Sequence, residues 1–293
     1  MRFRGSHHTL YTYEAPVYLL PHTIRLRPRS DPLQIVRDWE IEIAPNPSGM
    51  TEGIDAWGND VVWAWFEGEH ETLEIATRFT VDTLQENPFD FVVPDELSAT
   101  LPPTYSEETR AALTPFLAQP LLSPEVRALA DEAAQAAGGT TVGFPSELAR
   151  RIHERCRQIV RLEGDPWFGA TTLNAGEGSC RDQTMLFIEA CRHLGIAARF
   201  VSGYVEAPAP DGVRELHAWA SVYLPGGGWR GYDPTQGLAV STGHVTLAAS
   251  ADHAGASPVT GSFRGDAFAV APKSWIDIEI QRRNDSAESS TVA

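Results

Sequence analysis

One cysteine stands where a helix is predicted to begin, a position that favours a reactive thiol. Cys180 follows the glycine-rich residues 176–179 and precedes apolar residues at helical spacing. Ser179 suits the N-cap, Asp182 suits the first turn, and Gly195 suits the C-terminal stop. Unpaired backbone N–H groups at a helix start stabilise a thiolate and can later bind an oxyanion. The sequence therefore predicts a nucleophilic Cys180, provided that this end of the helix opens into a cleft.

Two predicted strands after this helix supply a base and an orienting carboxylate. Residues 216–224 alternate between apolar and polar side chains, which places His217 on the polar face. Asp233 closes the next strand, residues 229–233, just before a proline. A thiol, an imidazole and a carboxylate thus follow one another along the chain, as in a Cys-His-Asp triad. We predict that Cys180 is a nucleophile, that His217 transfers its proton, and that Asp233 orients the ring.

The loop between these two strands decides whether His217 and Asp233 face the same cleft. A two-residue turn at residues 226–227 would pair Asp233 with Ala220, on the apolar face, and would point the carboxylate away from His217. A three-residue connection at residues 225–227, or a β-bulge, would place Asp233 opposite Trp219 and diagonal to His217. We therefore predict an odd-length or bulged hairpin in which Asp233 is hydrogen-bonded to the His217 ring.

The other residues that could carry chemistry are expected to be structural. Cys156 and Cys191 fall among the apolar positions of predicted helices and are interpreted as core residues. Asn174 lies six residues before Cys180; it could stabilise an oxyanion, but we interpret it as a turn residue. We find no histidine, cysteine or acidic residues at metal-ligand spacing, so we expect neither a metal nor a cofactor.

The order of the predicted elements indicates an α+β protein. In residues 1–82, stretches of alternating apolar and polar residues are separated by turn sequences, which predicts an antiparallel β-sandwich. Residues 83–120 are predicted to form a proline-rich linker with short helical turns. Residues 121–283 are expected to form a catalytic core of helices on an antiparallel sheet. Its late strands, up to residue 280, should complete the core sheet or join the two parts. Residues 284–293 are predicted to be a disordered tail.

The overall composition limits the partners and the location of the protein. A net charge of −16 argues against nucleic acid and an anionic membrane as partners and leaves peptide or protein substrates open. No apolar run approaches the roughly 20 residues of a membrane span, and residues 1–8 lack the apolar core of a signal peptide. Three cysteines without framework spacing fit free thiols in a reducing compartment. We expect a cytoplasmic protein, and the oligomeric state stays open.

Four separated segments resemble the core of the bacterial transglutaminase-like superfamily. They are residues 178–182, 198–204, 216–219 and 231–235. Residues 11–13, 25–28 and 57–59 resemble the β domain that precedes this core in bacterial members. The resemblance implies a papain-like core in which Cys180 is the nucleophile, His217 the base and Asp233 the orienting residue.

This resemblance implies a chemistry rather than a particular substrate. The superfamily includes cross-linking enzymes, peptidases, deamidases and deglycosylating amidases. The expected function is thiol-dependent acyl transfer on peptide or protein carboxamides, as in a cysteine peptidase, amidase or deamidase. Two alternatives stay open. One is a protein-glutamine cross-linking transglutaminase, in which an amine replaces water as the acceptor. The other is a non-catalytic transglutaminase-like scaffold that binds a partner.

Overall fold

The computed structural model gives an α+β fold, as the sequence predicts. It describes residues 1–118, 122–161, 164–207, 214–266 and 268–281, apart from the side chains of Leu97 and Ala271. The strands, in chain order, are β1 (Arg2–Leu19), β2 (His22–Ile24), β3 (Gln34–Ala44), β4 (Gly49–Ile54), β5 (Asp60–Trp65), β6 (His70–Thr83), β7 (Arg157–Gln158), β8 (Glu177–Gly178), β9 (Ala198–Val205), β10 (His217–Leu224), β11 (Gly228–Asp233), β12 (Leu238–Ala239), β13 (His244–Ser250), β14 (Val259–Thr260), β15 (Phe263–Arg264) and β16 (Ala269–Gln281). The helices are α1 (Glu96–Ala99), α2 (Glu107–Ala112), α3 (Thr114–Leu117), α4 (Pro124–Ala136), α5 (Gly143–Arg155), α6 (Gly169–Ala175) and α7 (Cys180–His193), with a 3₁₀ turn at Ala254–Ala256.

The N-terminal part is a sandwich of two antiparallel sheets. One sheet has the order β15-β1-β6-β3, with β16 also paired to β1, and the other has the order β14-β2-β5-β4. Alternate side chains of β6, such as Leu73 and Ile75, are buried against residues of β2 and β5, such as Ile24 and Val62. The predicted β-sandwich is therefore confirmed.

The strand β16 corrects the predicted domain boundary. It pairs antiparallel with β1 from Arg2 opposite Gln281 to Tyr13 opposite Ala269. Residues 269–281 thus lie in the N-terminal sandwich rather than in the core predicted for residues 121–283. The physical reason is that β1 would otherwise expose a long row of unpaired backbone groups at the sheet edge. The predicted tail, residues 284–293, lies outside the described residues.

The segment that follows the sandwich contains the short helices α1, α2 and α3, in agreement with the expected helical turns. It packs on the second part through several side-chain and backbone contacts, among them those of Tyr105. The Tyr105 hydroxyl donates to the Tyr223 carbonyl oxygen at 2.9 Å and accepts the Ala197 N–H at 3.2 Å. The linker predicted for residues 83–120 therefore packs against the core up to residue 118, and Pro120 lies outside the described residues.

The second part packs its helices on a five-stranded antiparallel sheet with the order β12-β11-β10-β9-β13. Helix α7 lies across β9 and β10 and also contacts α4, α5 and α6. The sheet joins the sandwich through Tyr204, Val245 and Leu247, which belong to the sandwich core. The Tyr204 ring stacks on Phe79 with ring centroids 4.9 Å apart. The two parts therefore share an apolar interface.

Candidate active site

Cys180 is the first residue of α7, as predicted. Ser179 is the N-cap with extended backbone, and the helix gives way to Gly195, whose φ of +75° suits glycine. The Cys180 side chain is half-buried, whereas Cys156 and Cys191 are buried. Burial raises the pKa of Cys156 to about 11 and raises the pKa of Cys191 well above the ordinary thiol value. Of the three cysteines, Cys180 is therefore the one placed for reaction.

Asp182 holds the start of this helix against the preceding loop. Its carboxylate is fully buried and accepts from the Ser179 N–H and the Ser179 hydroxyl, both at 2.8 Å. It also accepts from the Trp167 N–H at 2.7 Å and from Arg161 Nη2 at 2.6 Å. The sequence had indicated only a favourable first-turn charge. The structure shows an acceptor that fixes the loop around the nucleophile, and no local pattern reveals its distant partners.

The hairpin that carries His217 and Asp233 has the predicted odd length. Leu224 lies opposite Gly228, which leaves residues 225–227 as a three-residue connection. His217 begins β10, Asp233 ends β11, and His217 Nε2 lies 2.7 Å from Asp233 Oδ2. The predicted register and the predicted hydrogen bond between these two side chains are both confirmed.

The His217 ring also contacts Cys180. The Cys180 side chain lies close enough to act on the pKa of this ring, and since Nε2 faces Asp233, Nδ1 is the ring nitrogen left for the thiol. Burial disfavours a charged His217 ring, but the Asp233 carboxylate and then Cys180 outweigh this and raise the pKa of His217 to about 10. Burial likewise opposes charge on Asp233, yet His217 and His244 hold the pKa of this carboxyl far below its usual range. This arrangement favours the protonated, imidazolium form of His217 beside Cys180.

Asp233 is held on both of its oxygen atoms. Oδ1 accepts from the Thr235 N–H at 2.9 Å and the Thr235 hydroxyl at 2.6 Å, with the Gln236 N–H at 3.3 Å. Oδ2 faces His217 and also a second imidazole, since His244 Nε2 lies 3.1 Å away. His244 is the first residue of β13 and was missed in the sequence, because it belongs to none of the recognised segments.

His217, Asp233 and His244 form a set of side chains that the sequence spacing did not indicate. Their nearest ligand-type atoms all lie within 4.8 Å of one another, so the set could in principle bind a metal ion. The expectation of no metal stays a prediction, but spacing along the chain did not indicate this cluster. The physical reason is that β13 pairs with β9 on the far side from β10, which brings a histidine from outside the hairpin to the same carboxylate.

Trp219 packs against both imidazoles. Its buried ring lies nearly parallel to His217 at 6.2 Å and edge-on to His244 at 5.1 Å. Gly203 makes room for it, because a Cβ at this position would lie 2.5 Å from the Trp219 ring and 2.1 Å from the Val245 carbonyl oxygen. The buried tryptophan therefore supports one side of each histidine ring.

Asn174 does not occupy a turn. It lies exposed within α6, which continues to Ala175 and gives way to Gly176 with φ +66°. The turn interpretation is wrong because the left-handed residue that ends the helix comes two positions later. The alternative, an oxyanion role for Asn174, stays open.

Comparisons with known protein families match both parts of the chain. The bacterial transglutaminase-like N-terminal region matches residues 3–82, and the transglutaminase-like superfamily matches residues 128–234. The second range contains Cys180, His217 and Asp233. The chain belongs to the transglutaminase-like superfamily.

Relatives of this transglutaminase-like chain extend over nearly its whole length. An uncharacterized protein of Mycobacterium tuberculosis H37Rv is 27% identical over 308 residues, covering 95% of this chain and 91% of the relative. One of Mycobacterium leprae is 26% identical over 280 residues, covering 90% and 94%. A crystal structure from Cytophaga hutchinsonii, described as a candidate cysteine protease, has a TM-score of 0.71 and 21% identity and covers 97% of this chain and 92% of its own. This last likeness shows a shared fold.

Within the described residues, every helix is too short or too polar to cross a bilayer.

Proposed function

We propose that this protein is a thiol-dependent acyl-transfer enzyme that acts on peptide or protein carboxamides. The observation that carries the proposal is the buried hydrogen bond between His217 and Asp233 beside Cys180, with the thiol at the start of α7. Membership of the transglutaminase-like superfamily supports a thiol enzyme in general. The amide substrate and the role of each residue are our proposal.

In the proposed reaction, the Cys180 sulfur attacks the carbonyl carbon of the amide while His217 carries the proton of the thiol. The tetrahedral intermediate collapses when His217 gives this proton to the leaving amine, which breaks the carbon–nitrogen bond and leaves a thioester. Asp233 stabilises the imidazolium and fixes the ring orientation. The Cys180 N–H, at the positive end of the helix dipole, would stabilise the oxyanion.

The acceptor of the acyl group defines the activity. Water would hydrolyse the thioester and regenerate the thiol, as in a peptidase, an amidase or a deamidase. An amine would form a new amide, as in a cross-linking enzyme. The net charge of −16 favours neutral or cationic peptide substrates over nucleic acid or an anionic membrane, and the cytoplasmic location belongs to the same proposal.

The first experiment measures alkylation of each cysteine by iodoacetamide at a series of pH values, read by mass spectrometry. We expect rapid labelling of Cys180 at neutral pH, while the buried Cys156 and Cys191 serve as controls within the same chain. Labelling of Cys180 no faster than that of a cysteine in an unstructured peptide would contradict the thiolate–imidazolium pair.

The second experiment identifies the acceptor. A peptide library is incubated with the wild-type protein and with Cys180→Ala, with and without a primary amine. New carboxylates support hydrolysis, and amine-linked products support cross-linking. Because alanine at a helix start adds little strain, Cys180→Ala should stay folded and lose all turnover. Full turnover by this variant would end the proposed thiol mechanism, and binding of peptides without turnover by the wild-type protein would favour a scaffold.

A further inference from the structure

The orienting carboxylate of the candidate triad serves two imidazoles. Asp233 Oδ2 lies 2.7 Å from His217 Nε2 and 3.1 Å from His244 Nε2, and both histidine side chains are buried. Three hydrogen bonds from Thr235 and Gln236 fix the other oxygen. These bonds hold the Asp233 side chain in place without His244. The main effect of His244 is therefore on the negative charge of Oδ2 and not on the position of the carboxylate.

The contacts of His244 identify it as a hydrogen-bond donor. The Asp233 oxygen is ionised and can only accept, so Nε2 of His244 must carry a hydrogen atom. Its Nδ1 atom is buried and has no partner among the described residues. A second proton on Nδ1 would bury an unpaired N–H group, which is unfavourable. The geometry thus places a hydrogen atom on Nε2, where it has an acceptor, and gives Nδ1 no acceptor among the described residues.

The distances favour hydrogen bonding over metal coordination. Ligand atoms bound to zinc at about 2.0–2.1 Å in a tetrahedron lie roughly 3.3–3.4 Å apart. The separation of 2.7 Å between His217 Nε2 and Asp233 Oδ2 is shorter than this and matches a charge-assisted hydrogen bond. The 3.1 Å contact of His244 also lies in the hydrogen-bond range.

We propose that His244 is a positioning residue of the candidate triad, which donates a second hydrogen bond to Asp233 Oδ2 and so limits how strongly this oxygen holds the proton of His217. The inference rests on the proposed function, since it concerns the base of that reaction. A second donor spreads the negative charge of the carboxylate, and a less basic His217 gives its proton to the leaving amine more readily. His244 thus adjusts the acid–base group without touching the substrate.

The N-terminal sandwich holds the strand that carries His244. Thr83 donates through its hydroxyl to the Thr242 carbonyl oxygen at 2.7 Å, two residues before His244. Gln34 donates to the Thr246 carbonyl oxygen and accepts the Thr246 N–H, each at 2.8 Å, two residues after His244. The sandwich is therefore hydrogen-bonded to the chain on both sides of His244. It helps to position this histidine, although it contributes no residue to the triad.

Several titratable or charged groups surround the two imidazoles and bear on any pH dependence. They are Cys180 on α7, Asp233 at the end of β11, His153 on α5, which contacts the Thr235 carbonyl oxygen at 2.7 Å, Glu206 after β9, and Arg214, which donates to the Val205 and Glu206 carbonyl oxygens. Of these, Asp233 alone contacts both rings in the described residues. A change at His244 should therefore reach His217 through Asp233.

The test compares His244→Phe, which removes the donor, with His244→Gln, whose amide nitrogen can replace it. The probe is iodoacetamide, and the readout is the alkaline inflection in the rate of Cys180 alkylation, which reports loss of the His217 proton. In His244→Phe the second donor is lost, so Asp233 should hold the His217 proton more strongly. The inflection should therefore move to a pH about one unit higher. His244→Gln should restore a value close to that of the wild type. His22→Phe, at a buried histidine of β2, controls for a general effect on stability.

An inflection in His244→Phe that coincides with the wild-type value would overturn the inference, and so would an equal shift in both variants. Nitrogen-15 NMR of the histidine rings in the wild-type protein provides a test that needs no variant. Hydrogen on Nε2 of His244 supports the proposal, and hydrogen on Nδ1 contradicts it. Slow alkylation of wild-type Cys180 would refute the proposed function instead, and the NMR measurement would still decide the role of His244.

Discussion

Replacing Asp182 with asparagine should destabilise the protein strongly, although the two side chains have nearly the same shape. The buried Asp182 carboxylate accepts from the Ser179 and Trp167 N–H groups and from the Arg161 guanidinium. An asparagine keeps one acceptor oxygen and turns an NH₂ group toward the remaining donors. Breaking a buried ion pair costs about 3–5 kcal/mol, and each unpaired donor about 1–3 kcal/mol. We expect a loss of about 3–5 kcal/mol in the free energy of unfolding.

The pH dependence of this loss follows from the carboxyl group. Burial alone would raise the pKa of Asp182, but the hydrogen bonds from Arg161, Trp167 and Ser179 hold it below its usual value. A carboxyl with a lowered folded-state pKa stabilises the protein above its unfolded pKa of about 3.9 and loses this effect as the pH falls through its folded pKa. The difference between wild type and variant should be full at neutral pH and should shrink below about pH 4.

Urea denaturation at several pH values measures this difference. The matched control is Glu154→Gln, which removes a largely exposed ion pair with Arg150 and should cost about 1 kcal/mol or less. A loss for Asp182→Asn no larger than that of the control would refute the assignment of Asp182 as the acceptor that fixes the helix start. Iodoacetamide labelling of the same samples should show slower reaction of Cys180, because the loop and the helix start lose their common acceptor.

Further expected outcomes concern the core, the acid–base group and the sheet. Cys191→Ala should lower the free energy of unfolding by about 1 kcal/mol or more through lost core packing, whereas Cys180→Ala should not; equal urea midpoints would contradict the assignment. Amide turnover should fall as the pH rises through about 10, because the raised pKa of His217 keeps the proton-donating form present below that value; turnover that instead falls near pH 7 would exclude it. Gly203→Ala should destabilise by about 1–3 kcal/mol and change the near-ultraviolet circular dichroism of Trp219.

Local patterns in the sequence were enough to predict the nucleophile and the hairpin. Ser179 and Gly195 mark the ends of α7 through backbone preferences that act within a few residues. The register of His217 against Asp233 follows from the length of the glycine-rich connection, because strand side chains alternate with a period of two residues. Helix-end preferences and hairpin register act over a few residues and depend little on the rest of the chain.

Pairing between distant strands decided the features that the sequence did not reveal. His244 reaches Asp233 because β13 pairs with β9, and residues 269–281 join the sandwich because they complete the edge of β1. The alternating sequence of a strand predicts an apolar face but does not specify which strand it pairs with. Many strand pairings are therefore compatible with the same local pattern. The choice among them comes from burying all apolar faces and all backbone polar groups at once. Which groups share the Asp233 carboxylate is therefore a property of the tertiary structure.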